Sequence, residues 1–258
     1  MKLSCAITLA AALSPVPMIL SAAEPPQKIV AFNAGVRVDV DAAGKPVKVE
    51  APQDLPLAVR NYIEKRVATW QYQPAKLDGT AVPATTYVKV GVCAIPVAAG
   101  SGFRLGLDYK GNGPRVANVH GIAPPPGYPA DALRRGISGE FEVVVRVNAD
   151  GTAEAMDIST AGGTGRGVLA TFDPALRQWV KGLQYDPEIV AGVPVATRVQ
   201  VPVSFKMGSR NSRSDIKREV MGRALASSEC QMANATGVLE RYPVALDSPV
   251  QVTPTPAG

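Results

Sequence analysis

The chain has 258 residues, 46% of them hydrophobic, which is enough for one large or two small cores and excludes a disordered polymer. A formal net charge of +5, without a Lys/Arg run interleaved with aromatics, gives no reason to expect a nucleic-acid partner. Aromatics are only 5% and the chain carries 24 Gly and 23 Pro, so the cores should be built from Val, Leu, Ile and Ala between many turns.

Residues 1–23 read as a secretory signal peptide. Lys2 gives the positive start, an apolar run follows, and Ser21-Ala22-Ala23 supplies small residues for cleavage after Ala23. Pro15 and Pro17 interrupt the run, which is short for a bilayer span. A periplasmic location follows, with no stable membrane insertion expected. Cys93 and Cys230 would then remain in an oxidising compartment, where one disulfide between them is possible and two buried thiols are the alternative.

Residues 24–96 form the next segment. "VRVDVDAAGKPVKV" alternates apolar and polar residues around a turn at Gly44, predicting a hairpin. "DLPLAVRNYIEKRVATWQYQP" predicts a helix, with Val59, Ile63, Val67 and Trp70 at helical spacing, ended before Pro74. Val88, Val90 and Val92 mark a closing strand. Residues 97–123 read as a connection, in which "LDYKGNGPRV" predicts a further hairpin on a Gly-Asn-Gly turn and "APPPG" a stiff linker.

The segment 124–208 repeats the pattern. In "GEFEVVVRVNADGTAEAMDIS", Phe141, Val143, Val145 and Val147 share one face, and the Asp150-Gly151 turn leads to a returning strand. "TAGGTGRG" reads as a loop, since it lacks the Lys-Ser/Thr ending of a phosphate-binding loop. Asp173-Pro174 predicts a helix start, with Phe172, Leu176, Val180 and Leu183 as its buried stripe and Pro187 as its stop. Val199, Val201, Val203 and Phe205 alternate along a last strand, in which Pro202 belongs on an edge or bulge. Pro74 and Pro187 are 113 residues apart and Gly44 and Gly151 are 107 apart, so one loop of six extra residues reconciles the two segments. We read two β-β-α-β units of an α+β class, each a helix on a small antiparallel sheet. Residues 209–258 predict a helix over "SDIKREVMGRALASSECQMA" and a frayed tail.

The ordered marks from Tyr128-Pro129 through Gly139, Asp150-Gly151, the helix, Tyr185-x-Pro187, Gly192 and "VPVSF" resemble the C-terminal domain of TonB-family proteins over residues 124–207. Residues 29–96 resemble it more weakly and lack the Tyr-Pro opening. The resemblance implies a periplasmic, non-enzymatic module that binds segments of outer-membrane transporters by strand addition. Tyr128, Pro129, Val199, Val201, Val203 and Phe205 are its candidate partner-binding residues; for Tyr128-Pro129 the alternative is a hydrophobic latch. "EPPQK" stands where the family's transducers carry a long Glu-Pro and Lys-Pro spacer, so a soluble binding protein is expected. A structural envelope protein with self-packed or dimeric repeats is one alternative. A membrane-anchored transducer, if the first segment is uncleaved, is another. No catalytic, cofactor or metal residues are assigned: the single histidine, His120, has no Cys-x-x-Cys, His-x-His or nucleophile-elbow context.

Overall fold

A computed structural model of the chain describes residues 30–96, 103–118, 123–161, 166–207 and 243–255. The signal segment, His120, Cys5, Cys230 and the helix expected around residues 214–233 lie outside the described residues.

The first unit runs β1 (Val30–Val40), β2 (Pro46–Glu50), α1 (Leu57–Val67), β3 (Gln71–Gln73), β4 (Ala75–Leu77), β5 (Thr80–Val82) and β6 (Ala84–Pro96). β7 (Phe103–Gly113), β8 (Arg115–Val116) and α2 (Ala130–Arg134) connect it to the second. The second unit runs β9 (Gly139–Val147), β10 (Ala153–Thr160), α3 (Arg166–Lys181), β11 (Tyr185–Asp186), β12 (Glu188–Val190), β13 (Val193–Val195) and β14 (Thr197–Phe205). Two tail strands follow, β15 (Val244–Ala245) and β16 (Gln251–Thr253).

In the first unit the central strand β1 lies between β2 and β6; in the second, β9 lies between β10 and β14, all antiparallel. Alternation decides which face of each sheet is buried. Val36, Val38, Val88, Val90 and Val92 pack with Ile63, Val67 and Trp70 in one core, while Val59 is partly buried at its margin. Phe141, Val143, Val145, Val199, Val201, Val203 and Phe205 pack with Phe172, Leu176, Val180 and Leu183 in the other. The second core holds an aromatic cluster, in which Phe172 stands 4.6 Å from Phe205 and 5.0 Å from Phe141 between ring centroids. Burying each such side chain stabilises the fold by roughly 1.5–3 kcal/mol.

The two hairpin turns are built alike. Gly44 and Gly151 have φ of +80° and +83°. A Cβ on Gly44 would stand 2.3 Å from the Tyr72 carbonyl oxygen, and one on Gly151 would stand 2.3 Å from that of Tyr185. Each turn thus requires glycine both for its backbone conformation and for the close approach of the segment leaving the helix. That segment is paired by a strand from elsewhere in both units: β3 by β16, with Tyr72 opposite Val252, and β11 by β8, with Tyr185 opposite Val116.

Four expectations are corrected. α3 begins at Arg166, well before Asp173, so Pro174 lies inside the helix. An interior proline costs about 3 kcal/mol; Val168 and Leu169, packed on the second core, supply apolar burial that offsets it, and Asp173 bonds Arg177 Nε at 2.9 Å. Residues 107–116 make no hairpin of their own, because β7 pairs along β6 and β8 pairs β11. The tail is not frayed throughout, since β15 pairs with β14, β16 pairs with β3 and Val250 is buried. Ahead of β14, Glu188–Val190 and Val193–Val195 pair as a separate hairpin. Nor does each helix rest on an isolated small sheet: that hairpin adds to β6, making the first sheet six-stranded in the order β13-β12-β6-β1-β2, with β7 also on β6. The second sheet is four-stranded, β10-β9-β14-β15.

Candidate partner-binding edge

The unit at 139–205 ends in β14, whose inner side is paired with β9 from Thr197 to Phe205. Its outer side meets β15 at two positions, Val199 opposite Ala245 and Gln200 opposite Val244. The backbone of Arg198 faces this outer side: its carbonyl accepts from Leu246 N at 2.8 Å and its amide donates to Asp247 Oδ1 at 2.6 Å. Arg198 Nε adds a second bond to Asp247 Oδ2 at 2.8 Å. Backbone direction alternates along a strand, so Gln200, Pro202 and Ser204 also turn outward. Pro202 has no amide to offer there, which is how an edge proline is tolerated and how an edge is blunted against unwanted pairing.

The residues named from sequence divide on this geometry. The side chains of Val199, Val201, Val203 and Phe205 are buried in the second core. By alternation their backbone groups face β9, so the groups a visiting strand would meet belong to Arg198, Gln200, Pro202 and Ser204. Tyr128 packs edge-on to Phe205 at 5.3 Å and to Phe172 at 5.8 Å, and its hydroxyl donates to the Ile137 carbonyl at 2.6 Å. Pro129 precedes α2 and accepts the Leu133 amide. Trp179 Nε1 donates to the Pro124 carbonyl at 2.7 Å, fastening the proline linker to α3. The Pro202 signal was present in the sequence; combined with strict alternation it fixes which residues of β14 face outward.

The first unit's corresponding strand offers no such edge. β7 pairs with β6 from Tyr87 to Pro96, and β12 pairs with it at Ala84 and Thr85. Where β12 crosses over, Glu188 is fully buried. Its carboxylate accepts from Thr86 Oγ1 at 2.6 Å, Ser248 Oγ at 2.7 Å and Thr197 Oγ1 at 3.1 Å, gathering the first unit, the tail and β14 at one point. Burial pushes the Glu188 pKa up against the opposing pull of these three hydroxyls.

Cys93 is buried and disulfide-bonded, and its partner lies outside the described residues. Among the described residues no group of His, Cys, Asp and Glu could hold a metal ion, and no helix is long and apolar enough to cross a membrane.

The second unit is an α+β domain, a helix on an antiparallel sheet whose last strand is only partly covered among the described residues. Residues 124–207 match the family described as Gram-negative bacterial TonB protein C-terminal. Over 82 residues the chain is 30% identical to the protein TonB of Vibrio cholerae serotype O1 (strain ATCC 39315 / El Tor Inaba N16961), a match spanning 32% of this chain and 32% of that protein. It is also similar to the solution NMR structure of the Pseudomonas aeruginosa TonB CTD, at 30% identity, covering 34% of this chain and 85% of that one with a TM-score of 0.27. The likeness is confined to residues 124–207, which hold the second unit and are similar to the TonB C-terminal domain.

Proposed function

We propose that this chain is a periplasmic, non-enzymatic protein-interaction protein. Its second unit takes up an extended segment of a partner on the outer edge of β14, and the partner is a segment of an outer-membrane transporter. The observation that carries this reading is the contrast between the two last strands. β6 is covered by β7 and β12, whereas β14 is covered on its outer side only from Arg198 to Gln200 among the described residues.

Strand addition supplies affinity through main-chain hydrogen bonds, and an incoming segment gains most where such groups stand ready. Beyond the β15 pairing, β14 offers the Pro202 carbonyl and both backbone groups of Ser204. A longer partner strand would replace β15 and take over the backbone of Arg198 and Gln200 as well, with the Asp247 latch released. In this reading the two units are copies of one ancestral unit. The first copy, its edge filled, serves as a platform, and Tyr128 and Pro129 border the site as a latch whose exposed remainder the partner touches.

A second reading, a structural envelope protein, is favoured by the β12–β13 hairpin completing the first sheet and by tail strands paired to both units. One experiment separates the two. A photo-crosslinking residue is placed at exposed Lys206, beside the end of β14, and at exposed Val47 on β2, in cells that make the whole chain. Strand addition at β14 gives an adduct with an outer-membrane transporter from position 206 and not from position 47. Adducts only between copies of this chain, or none from either position, overturn it.

A further inference from the structure

The two faces of the first sheet differ in chemistry. Val88, Val90 and Val92 point to α1, while Tyr87, Lys89 and Gly91 point the other way, toward the second unit. A cavity of about 160 Å³ lies against that second face. Its walls are mostly apolar, with Tyr87 on one side and Val116, Tyr185 and Val201 on the other. A cavity of about 150 Å³ is large enough for a benzene ring.

Three cations reach this cavity, and two of them are paired. Arg115 bonds Asp186 Oδ2 through NH2 at 2.6 Å and Nε at 3.0 Å, and lies over the Tyr87 ring. Lys110 Nζ stands 3.4 Å from Asp108 Oδ2. Lys89 differs. Its hydrogen bond is a 3.2 Å contact to the Pro243 carbonyl, and no carboxylate among the described residues lies at ion-pair distance from it. An ammonium has three donors, and burial without an acid partner is costly. Burial holds the Lys89 pKa down to about 8, with the Glu188 carboxylate pulling weakly the other way. The Glu188 oxygens are themselves engaged by Thr86, Thr197 and Ser248.

We propose that this inter-unit cavity is a binding site for a small amphipathic carboxylate of about the size of benzoate, its carboxylate on Lys89 Nζ and its apolar body against Tyr185 and Val201. The carboxylate supplies the oxygen acceptors that Lys89 lacks, and the ring or branched chain fills space that water would fill poorly between valines and tyrosines. The site needs no protein partner.

The test is titration of the mature chain with benzoate and with its neutral isostere benzamide, followed by calorimetry and by NMR of the Lys89 side chain. Benzoate is expected to bind at least about tenfold more tightly than benzamide, as a charge-assisted bond over a neutral one requires, and to shift the Lys89 Cε and Nζ signals. Lys89→Met, which keeps the stem and removes the charge, should abolish that preference while circular dichroism stays unchanged. Equal affinities, no benzoate binding at millimolar concentration, or undiminished benzoate binding by Lys89→Met overturns the site. Should Lys89→Met fail to fold, the benzoate–benzamide comparison and the Lys89 signals of the unaltered protein decide by themselves.

Discussion

Glu188 Oε1 accepts a 2.6 Å hydrogen bond from Thr86 Oγ1 across 102 residues of sequence, inside the seam where β12 of the second unit joins β6 of the first. A fully buried carboxylate at this seam is expected to make the stability of the fold depend on pH. Burial raises its folded pKa, whereas the unfolded chain keeps the ordinary value. Stability from this group is therefore fully present below the unfolded pKa and declines as pH rises through the folded one. Lys89, Tyr109 and Asp247 act on the same carboxylate electrostatically.

Glu188→Gln stays neutral throughout. Its melting temperature should match the unaltered protein below the ordinary carboxylate range and should fall less as pH rises through the raised folded pKa of Glu188. A gap of about 1 kcal/mol between the two curves would appear as about 2–4 °C. The scan stops below about pH 8, where Lys89 begins to lose its proton in the folded state. Parallel curves up to that limit would show that Glu188 does not titrate in the seam.

Gly151 and Gly79 share a left-handed backbone, with φ of +83° and +80°. They differ in surroundings: a Cβ at Gly151 would collide with the Tyr185 carbonyl, whereas one at Gly79 meets nothing within 4 Å. Gly79→Ala should cost about 1–2 kcal/mol, the conformational term alone. Gly151→Ala should cost more, because the segment leaving α3 must also shift. Urea denaturation checks both, and equal losses would mean that the close approach to Tyr185 contributes nothing.

These particulars also show how far local pattern reaches. The alternation at Val88, Val90 and Val92 and the stripe at Phe172, Leu176, Val180 and Leu183 are properties of single segments, and the cores follow them. The seam is different. Two-residue pairings such as β12 on β6 or β15 on β14 carry no periodicity, and only the packed partner selects them. Lys89 reads from its alternating context as a solvent-facing residue; it faces the cavity because the second unit covers that side of the sheet. Glu188 reads as one more charge after a proline, and only the convergence of Thr86, Thr197 and Ser248 makes it central. Pro174 carried a strong start signal that was overridden, since Val168 and Leu169 had apolar surface to bury between one and two turns earlier.

Cys93 is bonded and buried, so it should resist maleimide labelling in the native chain and remain unlabelled in denaturant until reductant is added. Mass spectrometry of the unreduced digest is expected to join the Cys93 peptide to that of Cys230, tying the C-terminal region to β6. A free Cys230 in that digest would refute this pairing.

Two proline substitutions on β14 separate the roles of its two sides. Arg198 turns its backbone toward the tail, so Val201, three residues on, turns its amide toward β9, and Ser204 turns its amide outward. Val201→Pro removes a ladder bond inside the sheet and should lower stability by about 1–3 kcal/mol through the carbonyl left without its donor. Ser204→Pro removes only an outward donor, as Pro202 already does, and should leave the melting temperature within a few degrees. If a partner adds to this edge, Ser204→Pro should nonetheless reduce adduct formation from position 206 severalfold, because Ser204 supplies the sole outward amide beyond Gln200. Undiminished adduct yield from a stably folded Ser204→Pro chain would mean that the partner reads side chains elsewhere and not the backbone of β14.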